Sequence, residues 1–202
     1  LNGINIGDPQ TGHNAFDFPV DISEIERIEI LEGPAASVYG TSSLLGAINI
    51  VTKANRTSSV TLHAASGSFG SVTSGGRINV ARGKWNNQLS GSFMRTDGYN
   101  HNKAGALNTD FRSQKAFYQG FYDDDDLSNK DFGSSTNYSS KYDDQFEHTF
   151  KTYTAVQAET RKGAVKWRPA IYWNHNYDRF ELFRDHAERY PFNYHRTDVY
   201  GV

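Results

Sequence analysis

The chain has 202 residues, with 21 Lys+Arg against 23 Asp+Glu, a formal net charge of -2 and no Cys. Near-neutrality without a basic stripe excludes a broad nucleic-acid footprint, and the missing Cys excludes disulfides, Cys-based zinc sites and a thiol nucleophile. Aromatic residues make up 14%, beside 18 Gly and one Met, at a mean hydropathy of -0.69. That composition fits β structure, and no apolar run reaches the ~18 residues of a transmembrane helix. A β-rich chain of this kind is either soluble or a membrane barrel, whose lipid-facing side chains are hidden in alternation around a polar interior.

Residue 1 falls inside a strand-like phrase, LNGINI, with no initiator Met or signal-peptide pattern ahead of it, and TDVYGV at the other end alternates as a strand and then stops. The chain therefore reads as an interior fragment. Residues 1–53 read as a small α+β unit. Ile28, Ile30 and Leu31, set among charges, predict a strand with one buried face, stopped by Gly33 and Pro34. Ala36 to Tyr39 predict one helical turn closing at Gly40, and INIV at 48–51 predicts a second buried strand.

Residues 54–202 have a different grammar. From about Ser58, two-residue alternation runs through segments of the length a tilted strand needs to cross a bilayer. The clearest is Ala164 to Asn174, with Val165, Trp167, Pro169, Ile171 and Trp173 on one face and Lys166, Arg168, Tyr172 and Asn174 on the other. Weaker alternation sets Val60, Leu62 and Ala64 against Thr61 and His63, and Ile78 and Val80 against Arg77 and Asn79. It also sets Leu89, Gly91 and Phe93 against Ser90 and Ser92, and Val156 and Ala158 against Gln157 and Glu159. Connections at 83–87 and 161–163 read as tight, and those at 97–110 and 123–152 as long and polar, the asymmetry of an outer-membrane barrel. Trp167 and Trp173, roughly 20 Å apart along a strand, fit two aromatic girdles. The same pattern also suits a soluble sandwich, whose apolar face would pack on a second sheet. About seven or eight antiparallel strands are expected. An outward one is missing between Tyr122 and Tyr153: either DFGSSTNYSSKY holds a poorly patterned strand or a hairpin is absent.

The phrase ERIEILEGPAASVYGTSSLLGAINIVTK at 26–53 resembles the end of the plug domain of TonB-dependent outer-membrane receptors. Arg27, Glu29, Gly33, Pro34, Tyr39, Gly40, Gly46, Ile48, Asn49 and Ile50 carry the match, while Glu32 and Leu45 stand where that family commonly has Arg and Gly. LNGINIGDPQTGHN looks like the plug strand and apical loop that precede it. GDPQTGHN, DGYNHN at 97–102 and NHNYDRFELFRD at 174–185 are most similar to the cobalamin-receptor-like branch of Bacteroidota. The resemblance implies a mostly β fold: residues 1–53 as the C-terminal part of a plug and 54–202 as the first strands of a transmembrane β-barrel of about 22 strands. Inward side chains such as Arg77, Asn79, Lys166 and Arg168 would hold the plug.

It further implies residence in the outer membrane among its lipids, no enzymatic chemistry and no nucleic-acid partner. Transport would be energised by the TonB-ExbB-ExbD complex through a segment upstream of residue 1. The favoured cargo is a corrinoid such as vitamin B12, ahead of a ferric siderophore. A glycan importer with a surface lipoprotein partner, and a soluble carbohydrate-binding β-sandwich, stay open.

By the same resemblance Gln10, Thr11, His13 and Asn14 reach the plug apex, where they would read a polar ligand rim. Tyr99, Asn100 and His101, in the first long loop, supply aromatic and amide groups for stacking and hydrogen bonding. No cofactor is expected beyond a structural calcium at Asp123, Asp124, Asp125 and Asp126, four adjacent carboxylates that lack EF-hand spacing. HExxH, G-x-S-x-G and G-x-x-x-x-G-K are absent from the sequence, so hydrolase and nucleotide-binding readings lack their usual residues. Arg179, Glu181, Arg184 and Asp185 read as ion pairs on a loop or rim.

Overall fold

A computed structural model describes residues 1–7, 18–33, 46–98, 107–108, 110–123, 127–131, 141–142, 146–160, 165–181, 188 and 193–202. The N-terminal segment folds back on itself before any sheet begins. LNGINI is a turn instead of a strand: Asn2 and Gly3 adopt positive φ of 50° and 86°, and the Asn2 N–H donates to Ile50 O at 2.8 Å. A 3-10 turn at Ile22–Glu24 follows, N-capped by Asp21, whose Oδ1 accepts from the Ser23 N–H at 2.9 Å. Strand β1 (Ile25–Glu32) then pairs antiparallel with β2 (Gly46–Thr52), with a bulge between Ile25 and Arg27. The expected helical turn at Ala36 to Tyr39 lies outside the described residues, and among these the 3-10 turn is the one helical element.

The buried face expected for β1 is corrected. Ile28, Ile30 and, opposite Ile30, Ile48 are exposed, whereas Ile50, opposite Ile28, is 2% accessible. Of the hairpin's isoleucines, Ile50 and the partly buried Ile25 meet the cluster of Leu1, Ile4 and Val20.

Eight further strands form one antiparallel sheet: β3 (Ser59–Ser66), β4 (Val72–Arg82), β5 (Trp85–Thr96), β7 (Phe111–Asp123), β8 (Leu127–Asp131), β10 (Phe146–Thr160), β11 (Ala170–Glu181) and β12 (Asn193–Gly201). Each pairs with its predecessor in this series, an up-and-down meander. Two short strands in the long connections, β6 (Leu107–Asn108) and β9 (Lys141–Tyr142), pair with each other.

β8 is the outward strand missing from the sequence reading. Three residues separate it from the end of β7, with Asp123 opposite Ser128, and its other edge runs along β10 from Lys130↔Gln157 to Leu127↔Thr160. The segment 123–152 is therefore a short connection, a strand, a long connection and the start of β10, not one long loop. LSNKD carries no apolar alternation, and a strand satisfied on both edges draws on its neighbours more than on its own propensity.

The other correction concerns Ala164 to Asn174. Regular pairing starts at Ala170 and continues to Glu181. Pro169 lacks an N–H and interrupts the ladder, though its carbonyl accepts from Ala158 N and the Trp167 carbonyl from Thr160 N, each at 3.0 Å. The phrase NHNYDRFE thus becomes strand, and Arg179 and Glu181 form a 2.5 Å ion pair on it. Arg184 and Asp185 lie outside the described residues. Trp173 sits only three residues into this 12-residue strand, so it does not mark the far rim.

At one rim Gly83–Lys84, with Gly83 at φ 60° opening a two-residue hairpin, and 124–126 are short, while nine residues, 161–169, separate β10 from β11 where a tight connection was expected. At the opposite rim the connections are 67–71 and the longer 97–110, 132–145 and 182–192. The N-terminal segment covers one face of the sheet, here the inner face. Leu1, Ile4, Val20 and Ile50 pack there with Phe117, Tyr153 and Ala155 of β7 and β10. The outer face is bare: Val165 is 64%, Trp167 70% and Ile171 66% exposed. No second sheet lies on them among the described residues.

Candidate functional site: the segment held on the inner wall

Alternation decides what the inner wall is made of. Its rungs present Asn79, Gln88, Gln119 and Asn174, all buried, while the outer rungs present Val60, Ile78, Leu89 and Ile171, all exposed. A water-soluble sheet arranges these classes the other way round.

Glu24, in the 3-10 turn, is buried at 1% accessibility with its carboxylate aimed at this wall. Arg77 Nη1 of β4 lies 3.7 Å from its Oε2, and Gln88 Nε2 of β5 donates to the same oxygen. Burial pushes the Glu24 carboxyl above its ordinary value, against the opposing pull of Arg77, Ser90 and Gln88. One turn earlier, burial works to raise Asp21, but hydrogen bonds from Ser23 and Ser92 outweigh it and hold that carboxyl low.

A second set of contacts ties the strand exit. Thr52 Oγ1 donates to Gln119 Oε1 of β7 at 2.8 Å and accepts from Asn2 Nδ2 at 3.0 Å. Gln157 Nε2 of β10 donates to Asn2 O at 3.1 Å, and Lys115 Nζ of β7 to Val20 O at 3.3 Å. Lys53 Nζ donates to Ser23 O at 2.8 Å, closing the turn on the strand that leaves it. On the hairpin's polar side, Asn49 Nδ2 donates to Glu29 Oε2 and Arg27 Nε to Glu29 Oε1, both at 2.8 Å. Those two bonds, Asn49 first, hold the exposed Glu29 carboxyl below its usual value. The arrangement does no bond-making chemistry. It fixes a small folded segment to a polar wall through contacts that can be broken one at a time.

Of the side chains expected to hold this segment, Arg77 faces it, and Asn79 is an inner-face residue that donates to Asn55 O at 3.1 Å and to Thr57 O in the chain leading to β3. Lys166 and Arg168 do not: they lie ahead of the Pro169 break, exposed at the short-turn rim, where Arg168 pairs with Glu159 at 3.0 Å. Glu24, Gln88, Lys115 and Gln119 were not singled out from sequence, although for the strand residues their inward parity was there to be read, as it was for Gln157. Gln10, Thr11, His13, Asn14, Tyr99, Asn100, His101 and Asp124 to Asp126 lie outside the described residues. Asp123 is described only by its backbone pairing.

An open meander with apolar residues outside, polar residues inside, and a folded N-terminal segment seated on the inner wall is the construction of a plugged membrane barrel. Comparison with known proteins points the same way: residues 1–47 match the TonB-dependent Receptor Plug Domain. It is similar to the vitamin B12 transporter BtuB of Vibrio vulnificus, 26% identical over 121 residues, which cover 58% of this chain and 20% of that protein. It is also similar to the vitamin B12 transporter BtuB of Photobacterium profundum, 34% identical over 79 residues, 39% of this chain and 13% of that protein. The chain thus spans about a fifth or less of the length of these curated relatives.

Proposed function

We propose that the full-length protein is a receptor for energised uptake of a corrinoid across the outer membrane. In this reading 1–53 is the end of the plug and 54–202 the opening strands of the barrel. The observation that carries the substrate is the likeness to two proteins described as vitamin B12 transporters. The buried polar contacts around Glu24 and Thr52 support the mechanical part, since a plug that must move needs an interface with few large apolar anchors and many exchangeable hydrogen bonds. TonB, driven through ExbB and ExbD, would pull from a segment ahead of residue 1, and a surface lipoprotein would assist at the long-connection rim.

Ligand contact is assigned to Gln10, Thr11, His13 and Asn14 on the plug and to Tyr99, Asn100 and His101 on the first long connection. Calcium is assigned to Asp123, Asp124, Asp125 and Asp126. Isothermal titration of the full-length receptor with cyanocobalamin, a ferric siderophore and oligosaccharides is the test. Saturable heat with cyanocobalamin alone is expected, and binding of either competitor class without it overturns the assignment.

A further inference from the structure

The outer-face residues of β5 run Trp85, Asn87, Leu89, Gly91, Phe93, Arg95, and those of β7 run Tyr122, Gly120, Tyr118, Ala116, Gln114, Arg112, each directly opposite its counterpart. The ladder has an aromatic end and a cationic end. At the short-turn rim the Trp85 and Tyr122 rings lie against each other, tilted by 55° with centroids 4.8 Å apart. From Trp85 to Arg95 the strand covers roughly 33 Å at ~3.3 Å per residue, which a tilt of about 45° reduces to roughly 23 Å of height. That matches the ~25 Å apolar band of an outer-membrane barrel. With the aromatic pair at one boundary, Arg95 and Arg112 stand at the other, level with the headgroups of the leaflet next to the long connections.

Two guanidinium groups directly opposite on one face of an antiparallel pair repel each other. Arg95 Nη2 meets Asp97 Oδ1 at 3.4 Å with both side chains more than half exposed, and Arg112 stacks over the Phe93 ring, 5.4 Å from its centroid. Asp97 and Asp110 both lie further toward the rim in sequence and register. The carboxylates are thus on the water side and the cations on the hydrocarbon side. Val72, opposite Arg95 on β4, is exposed beside them.

We propose that Arg95 and Arg112 clamp the phosphate of an anionic lipid headgroup, with Val72 and Phe93 against the start of its acyl chains. Guanidinium forks match phosphate oxygens in pairs, and a phosphate between the two groups removes their repulsion. The proposal rests on the membrane orientation of the sheet and not on the identity of the cargo.

The test uses the full-length receptor in phosphatidylcholine vesicles with a minor fraction of phosphatidylglycerol, and compares the motionally restricted fraction of spin-labelled phosphatidylglycerol with that of spin-labelled phosphatidylcholine. A preference of roughly thirtyfold for the anionic label is expected from two surface cations at about 1 kcal/mol each. Arg95→Gln with Arg112→Gln should bring it close to one, Arg168→Gln at the other rim should leave it in place, and inorganic phosphate should not compete. Heat-modifiable gel mobility reports whether each barrel is folded. If the double variant misfolds, the single variants decide, each expected to lose about half of the preference on a logarithmic scale. Absence of preference in the unmodified receptor, retention of it in the folded variants, or its loss to inorganic phosphate overturns the proposal. Cyanocobalamin binding measured on the same preparations bears on the cargo alone.

Discussion

The two faces of the eight-stranded sheet differ more than any two elements of the chain. Inside, Asn79, Gln88 and Gln119 are buried against the N-terminal segment, and outside, Leu62, Leu89 and Trp167 are bare. Burial and polarity, which run together in water-soluble proteins with apolar residues inside, are here inverted, so the solvent of the outer face is not water. The inversion is strongest over β3 to β7. On β11 and β12 the outer face carries polar groups that satisfy one another: Asp198 accepts from Trp173 Nε1 at 3.0 Å and lies 2.8 Å from His175 Nδ1.

The largest expected break in the comparison is on the inner side. Glu24→Ala removes the carboxylate and leaves Arg77 and Gln88 facing an empty site, which should weaken plug docking by about 3–5 kcal/mol. Amide exchange at Thr52 and Lys53, corrected for intrinsic rates, is the readout in the full-length receptor.

The same carboxyl makes docking depend on pH. Burial raises Glu24 above its free value, so the docked state keeps the proton to higher pH than the undocked one. Docking is therefore firmest below the ordinary carboxylate value and weakens as pH climbs through the raised one. Glu24→Gln should flatten that dependence in the same exchange experiment, and an unchanged slope would assign it elsewhere.

On the outer side, Leu89→Arg puts a charge into the middle of the apolar band, and about 2–4 kcal/mol of stability should be lost in denaturant unfolding from phospholipid vesicles. A cost within the roughly 0.5 kcal/mol of an ordinary surface substitution would mean that the outer face meets water. Next comes Thr52→Val, which leaves Gln119 Oε1 without its donor. A loss of about 1–3 kcal/mol is expected in the same unfolding assay. Arg168→Gln, removing an exposed pair with Glu159, should cost no more than about 1 kcal/mol.

Parity made most of the wall legible in the sequence. Val60, Ile78, Leu89 and Val156 face outward and Arg77, Asn79, Ser90 and Gln157 inward, as their alternation requires. β8 was not legible, because its stability comes from two neighbours and LSNKD has no pattern of its own. The start of β11 was misplaced for a different reason: side-chain alternation continues through Pro169 although the hydrogen-bond ladder does not. The Glu24 contact was hidden because a carboxylate among charged residues looks solvated until the strands that bury it, some 60 positions later, are in place. The hairpin failed in the opposite sense, since Ile28 and Ile30 look like core and are uncovered.

The small ladder of Leu107–Asn108 with Lys141–Tyr142 splices two connections that leave the sheet from different hairpins. A pull on either connection is carried through those two paired rungs to the other, so a molecule that grips one loads both.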